Sequence, residues 1–276
     1  MLNYSHMSVG IFLGNTMAEA SLIRMRKGGG FKRIGSSTVV AGSDFWDEGC
    51  LDAVIAQVFS DLPGKSQRAD VAVQISLPDP LVYETLMDFE DFPQNPAEAT
   101  KLVTWRMARA IDVAAETLRC SFQIVGEGAA GRSVIGRSVT TEVFDAVYAA
   151  AKNQGVRIAR LDGWSGYHFN HIDEADICVW ANEEWWVLEC RGKGEASFIA
   201  SGWIKGCNPE SRIADRVTRL ARSYVLKTSA KPVRISLLMP GKLEKIMTLK
   251  LSGDDLLNVS PIKGEGLDPS VLVALL

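Results

Sequence analysis

Long hydrophobic runs are missing from this chain: none approaches the roughly 20 residues that a helix needs to cross a bilayer. The opening Met1-Leu2-Asn3-Tyr4-Ser5-His6 lacks the basic start and apolar core of a secretory signal, so a cytosolic protein is expected. Excess basic charge is missing too. Thirty Lys and Arg stand against 33 Asp and Glu, for a formal net charge of −3. A dedicated nucleic-acid binder would carry a basic stripe instead. Histidine is scarce, and no Ser-His-Asp order can be argued from His6, His168 and His171. The cysteines Cys50, Cys120, Cys178, Cys190 and Cys207 are odd in number and include no Cys-x-x-Cys pair, which suits free thiols in a reducing compartment. Low-complexity tracts and long linkers do not occur.

Two phosphate motifs are present only in part. Gly64-Lys65-Ser66 echoes the end of a P-loop, but the first glycine of that motif would fall at Phe59, so a surface turn is expected. Gly126-x-Gly128-x-x-Gly131 matches a dinucleotide fingerprint. That fingerprint works only where a helix begins at the glycines, and Ser133 to Val139 read as a strand, so a hairpin loop is expected.

What is there is a chain of 276 residues, 47% hydrophobic, enough for one large core or two modest ones. Two stretches, Val9 to Ile23 and Ile177 to Phe198, each read as strand, tight turn and second strand, and each is followed by helical and further strand segments. In the first part Ser8–Leu13, Met17–Met25 and Phe31–Val40 form a meander, with Gly28-Gly29-Gly30 at one tip. Leu51, Val54, Ile55, Val58 and Phe59 recur at helical spacing, and Val71–Leu77 reads as a buried strand. A strand within Leu81–Phe89 and a helix over Pro96–Asp112 follow. Ser121–Val125 and Ser133–Val139 read as strands, Thr140–Asn153 as a helix capped by Thr140 or Thr141 with Gly155 beyond its end, and Val156–Leu161 as a strand. The second part repeats the plan. Ile177–Ala181, Trp185–Cys190 and Ala196–Ala200 form a meander, and Pro209–Val225 is an amphipathic helix. Val233–Met239 is a strand ending at Pro240-Gly241; Ile246–Leu251 and Leu256–Val259 come after it. Asp268-Pro269-Ser270 opens a last apolar helix, Val271–Leu276.

Several side chains invite a functional reading beside a plain one. His168 and His171, with Asp173 and Asp176, read as metal ligands or as solvated and capping residues. Trp185 and Trp186 must point to opposite faces of their strand, so one is expected in the core while the other is core or an exposed contact surface. Arg212, Arg216, Arg219 and Arg222 form a stripe opposite the apolar face of their helix, which is a solvated face or a surface for an anionic partner.

The segment Val9-Gly10-Ile11-Phe12-Leu13-Gly14-Asn15-Thr16, the segment Val73–Pro78, the run Gly136–Asp162, and the ends Leu237–Gly241 and Asp268–Leu276 together carry a resemblance. Over nearly its whole length the chain resembles the PilM family of type IV pilus assembly proteins, and it is similar to the cytoplasmic part of the type II secretion L protein. The resemblance implies an α/β actin-like (ribonuclease H-like) fold of two lobes, with mixed sheets flanked by helices. The first lobe would span 1–172, with an inserted subdomain at about 78–125. A trimmed second lobe would span 173–276, its last helix packing back on the first.

In that fold the two turns hold a nucleotide's phosphates. Here the family's first Asp is Phe12, its second Asp-x-Gly falls at Trp180-Ala181-Asn182, and its glycine pair is reduced to Pro240-Gly241. Magnesium needs hard oxygen ligands, so Gly14, Asn15, Thr16, Asn182, Glu183 and Gly241 are degenerate equivalents of a nucleotide site. No catalytic residue, metal or cofactor is expected. The resemblance implies a cytoplasmic scaffold that grips the N-terminal tail of a bitopic inner-membrane pilus or secretion protein and meets the membrane only through it. The tail would lie in a groove within the first lobe, with Leu81–Phe92 and the helix Ala97–Asp112 as its walls. One alternative is an ATP- and Mg-binding ATPase or sugar-kinase relative, in which Gly14, Asn15 and Thr16 hold phosphate and Glu183 or Glu184 ligates the metal. The other is a homo-oligomeric module with no membrane partner.

Overall fold

A computed structural model describes residues 4–26, 30–41, 45–46, 50–63, 71–128, 131–165, 176–192, 195–204, 209–228, 232–239 and 241–261. His168, His171, Asp173, the Gly64-Lys65-Ser66 turn, Cys207, Pro240 and the helix read at Val271–Leu276 lie outside the described residues.

The first sheet has the order β3-β2-β1-β4-β8. Strands β1 (Tyr4–Leu13), β2 (Met17–Arg26) and β3 (Phe31–Val40) form the antiparallel meander, and β4 (Ala72–Leu77) and β8 (Ile158–Gly163) run parallel to β1. Alternation along β1 sends Val9, Ile11 and Leu13 to one face and Phe12 to the other. The first set meets Leu51, Val54, Ile55, Val58 and Phe59 of α1 (Leu51–Asp61), all buried as their spacing predicts. Val147, Ala150 and Ala151 of α3 (Thr141–Asn153) complete this core. Thr140 caps α3 by accepting from Val143 N at 3.4 Å, and Gly155 follows it at φ +67°.

Between β4 and α3 the chain builds a separate three-stranded sheet of order β5-β7-β6. It comprises β5 (Tyr83–Phe89), β6 (Leu118–Gly128) and β7 (Gly131–Thr140), with α2 (Pro96–Ile111) packed on it through Val103 and Met107. Asn95 caps α2 by accepting from Ala97 N at 2.9 Å. Asp112 closes the helix at φ +57°, a left-handed conformation that Asp tolerates better than most residues. The glycine-rich segment is a hairpin: Gly128 pairs with Gly131 across antiparallel β6 and β7. Gly131 has φ +111°, and a Cβ there would lie 1.9 Å from the Phe89 carbonyl oxygen, so glycine is demanded by backbone packing and not by a pyrophosphate.

The second five-stranded sheet, β11-β10-β9-β12-β13, repeats the plan of the first. Strands β9 (Ile177–Ala181), β10 (Trp185–Gly192) and β11 (Glu195–Trp203) form the meander; β12 (Val233–Leu238) and β13 (Leu257–Pro261) extend it in parallel. Helices α4 (Pro209–Thr228) and α5 (Gly241–Leu251) supply core residues such as Ile213, Val217 and Met247. Ile246–Leu251 is therefore the second half of a helix, its buried face set by Leu243, Met247 and Leu251 at four-residue spacing. Arg212, Arg216, Arg219 and Arg222 are all exposed on α4.

Neither tryptophan of the Trp185-Trp186 pair is an exposed contact surface. Their exposures are 0% and 7%. They do point to opposite faces, but β10 lies inside its sheet with both faces covered. Trp186 joins the helix-covered core and Trp185 joins a cluster that faces the first sheet.

Candidate functional site

The two turns of the repeated plan come together. In the first, Gly14 N donates to Met17 O at 2.7 Å, closing the turn Gly14-Asn15-Thr16 between β1 and β2. In the second, Asn182 N donates to Trp185 O at 3.1 Å. The Asn182 side-chain oxygen accepts from Glu184 N and Trp185 N, both at 2.8 Å. This local bonding suits asparagine to a turn, and it fixes the backbone from which Glu184 projects.

The Glu184 carboxylate reaches across to the first turn. Oε2 accepts from Asn15 N at 2.8 Å, and Oε1 accepts from Thr16 N at 3.0 Å and Thr16 Oγ1 at 2.7 Å. Gly14 leaves room for it, since a Cβ there would lie 2.5 Å from Glu184 Oε2. Of the residues singled out in the sequence, Gly14, Asn15, Thr16 and Asn182 are thus gathered around Glu184. Glu183 is exposed, and Gly241 opens α5 and takes no part in these bonds.

Beside the turns the space between the sheets is filled by aromatic rings. Phe12, 2% exposed, stacks on Trp185 with centroids 5.6 Å apart and meets Trp164 edge-on at 5.0 Å. Trp180 lies 5.1 Å from Trp185 and 5.6 Å from Trp164. Sequence reasoning did not single out Trp164 or Asp79. Asp79, just past β4, accepts from Ser165 N at 2.9 Å and Ser165 Oγ at 2.6 Å, and its other oxygen accepts from the Trp185 indole at 3.3 Å. Burial pushes its carboxyl up to about 6, against the bonds from Ser165 and Trp185, which pull it down. Its position after Leu77-Pro78, where a buried strand ends, was the available signal.

These residues do not fit a magnesium nucleotide. Magnesium wants hard oxygen ligands in an octahedral arrangement, and Phe12 and Trp180 stand at the two strand ends where the fold would present them. The backbone donors of the first turn are already engaged by a carboxylate.

An open groove of about 300 Å³ lies elsewhere, between the first sheet and the three-stranded sheet. Its sides are two sheet-edge strands, β6 with Arg119 and Cys120, and β8 with Arg160 and Asp162. Phe144 and Tyr148 of α3, stacked at 4.3 Å, close one end. Arg137 at the base bonds Glu84 at 2.5 Å and lies 3.8 Å from Asp162, which Arg160 bonds at 2.9 Å. Burial raises Glu84 to about 7 against the opposing pull of Arg137. Burial acts to lower Arg137, but Glu84 and Asp162 outweigh it and leave the guanidinium raised. The segments read as groove walls, Leu81–Phe92 and the α2 helix, line a second surface cleft through residues such as Phe89, Glu90, Leu102 and Trp105. There Trp105, 49% exposed, carries Arg109 over its ring at 5.0 Å.

No protein-family model matches the chain, and no curated protein matches it. Solved structures do. A chain of the PilM–PilN type IV pilus biogenesis complex superposes with a TM-score of 0.66 at 15% identity, over 97% of this chain and 90% of that one. A protein of unknown function with an actin-like ATPase fold, from Bacteroides thetaiotaomicron, gives 0.65 at 12% identity, over 98% and 96%. The cytoplasmic domain of EpsL, an inner-membrane component of the type II secretion system of Vibrio cholerae, gives 0.52 at 12% identity, over 91% and 97%. The chain has the actin-like fold, as its repeated plan and motifs led us to expect.

Proposed function

We propose that this chain is a scaffold of a type IV pilus or type II secretion assembly, working on the cytosolic side of the inner membrane. It holds the cytosolic tail of a bitopic membrane partner and does not hydrolyse ATP. The observation that carries this reading is a contrast. The cleft between the two five-stranded sheets is filled by Phe12, Trp164, Trp180 and Trp185, while the groove between β6 and β8 is open. The likeness in fold to a chain of the PilM–PilN complex and to the EpsL cytoplasmic domain supports the same reading. Among the described residues no helix is long and apolar enough to cross a membrane, and in this reading attachment comes from the partner.

The groove suits an extended tail. Edge strands offer unpaired backbone N–H and C=O groups, which give affinity, and side-chain pockets between them give specificity. The Phe144–Tyr148 pair is an apolar anchor point beside the charged Arg119, Arg160 and Asp162.

The test is calorimetry with synthetic cytosolic tails of single-span proteins encoded beside this chain. Micromolar binding is expected, weakened roughly tenfold or more by Tyr148→Ala and unchanged by Trp105→Ala in the other cleft. Binding of no tail, or sensitivity to Trp105→Ala alone, overturns the groove assignment. The same instrument reads ATP with Mg²⁺. Neither heat nor a shift in melting point is expected, because a ligand bound tightly to the native state must raise that melting point. Micromolar nucleotide binding overturns the pseudo-ATPase part.

A further inference from the structure

We propose that Glu184 is a built-in phosphate surrogate. The turn Gly14–Thr16 remains a competent oxyanion site, and the chain fills it with its own carboxylate, latching the second sheet's hairpin onto the first.

Three features support this. The first is the donor set. Two consecutive backbone N–H groups and a hydroxyl converge on one carboxylate at 2.7 to 3.0 Å. Successive N–H groups of a turn aimed at one point form an anion-binding nest, and hydrogen bonds to an ionised acceptor are about twice as strong as neutral ones. The second is preorganisation on the carboxylate side. Glu184 N is tied to Asn182 Oδ1 at 2.8 Å, and Glu184 O accepts from Ile204 N at 2.7 Å. The side chain therefore leaves a backbone fixed at both ends, and little entropy is lost in aiming it. The third is steric fit. The nearest carboxylate oxygen occupies the space that a Cβ at Gly14 would need, at 2.5 Å.

The latch is also placed where it can act at long range. Its partners are 168 and 169 residues apart in sequence. The next residue, Trp185, continues the same link by stacking on Phe12 and donating to Asp79. One short turn therefore delivers a carboxylate to a nest and an indole to a buried acid.

Removing the carboxylate leaves the nest intact and empty of its anion. The class of ligand it would then take is a small oxyanion, and inorganic phosphate and sulfate are the probes. Thermal melting of Glu184→Ala is expected to fall by several degrees. Phosphate or sulfate should restore part of that fall, while chloride at equal ionic strength should not. Wild-type protein should respond to none of them specifically. An isosteric variant, Glu184→Gln, supplies a reading that does not depend on the alanine protein folding. Its amide NH₂ opposes the turn's donors, so the Asn15 and Thr16 amides should exchange with solvent at least about tenfold faster than in wild type.

An unchanged exchange rate in Glu184→Gln, or a Glu184→Ala protein that melts like wild type, overturns the latch. A destabilised Glu184→Ala protein indifferent to phosphate and sulfate overturns the oxyanion site. If Glu184→Ala does not fold, the exchange rates decide the latch, and melting of Glu184→Gln with and without phosphate decides the oxyanion site. Tail peptides enter none of these readings. A chain that binds no tail would still show or fail to show the latch, and a chain that lacks the latch could still bind a tail.

Discussion

Asp79 shows how one buried acid sets a pH response. Its folded value, about 6, lies above its ordinary 3.8, chiefly because burial disfavours the charged form. The folded state thus holds the proton more tightly than the unfolded state does. The stability Asp79 contributes is complete below about 3.8 and is lost as pH rises through about 6. Two units correspond to roughly 2–3 kcal/mol. Glu84 adds the same sign, its contribution complete below about 4.5 and lost as pH rises through about 7. Denaturant unfolding is expected to show greater stability near pH 5 than near pH 8 from these groups. Asp79→Asn should flatten that dependence while lowering stability overall by about 1–3 kcal/mol, because an amide nitrogen cannot accept from the Trp185 indole. An unaltered pH slope in the variant would remove Asp79 as its source.

Among the elements, those with strong periodic patterns were legible and those defined by distant contacts were not. Leu51, Val54, Ile55, Val58 and Phe59 mark α1 because a helix with one buried face must repeat that way. The hairpin at Gly126–Gly131 was legible because Ser133–Val139, with Val134, Ile135 and Val139, reads as a strand and not as the start of a helix. By contrast, nothing near Glu184 announces its role, since its three partners belong to a turn at the other end of the chain. Ile246–Leu251 was obscured because its helical period includes Leu243, upstream of the segment that drew attention. The turn residues Gly14, Asn15, Thr16 and Asn182 could be picked out from their place between strands, while the lining of the groove between β6 and β8 could not, because α3 and β8 are brought to β6 only by the packing of two sheets. At this scale Gly131 carries a prediction. With φ at +111° and the Phe89 carbonyl 1.9 Å from a would-be Cβ, Gly131→Ala should cost about 2–4 kcal/mol by chemical denaturation. A change under about 0.5 kcal/mol would mean the β6–β7 hairpin is free to shift away from β5.

At the scale of the whole molecule, two five-stranded sheets share one strand order and meet through rings drawn from both. Phe12 and Trp164 come from the first part of the chain, and Trp180 and Trp185 from the second. Cores that share buried surface unfold together, whereas units joined by thin interfaces unfold separately. Calorimetric melting should therefore show one transition in the wild type. Trp185→Ala, which removes a fully buried ring and its bond to Asp79, should lower stability by about 3–5 kcal/mol and separate the melt into two steps. A single transition retained in that variant would mean the sheets are coupled by other contacts.

If the cleft takes no nucleotide, as proposed, its closure by the chain's own rings makes its shape indifferent to the metabolic state of the cell. An actin-like protein that needs a bound nucleotide to fix its lobes changes with the supply and turnover of that nucleotide. On that proposal, a chain that carries Phe12, Trp185 and Glu184 at the same place has no such input, and its geometry is set at the moment it folds. Control over any machine built on it would then have to come from how many copies are made and which tails are present to be held, and not from the energy charge of the cytosol.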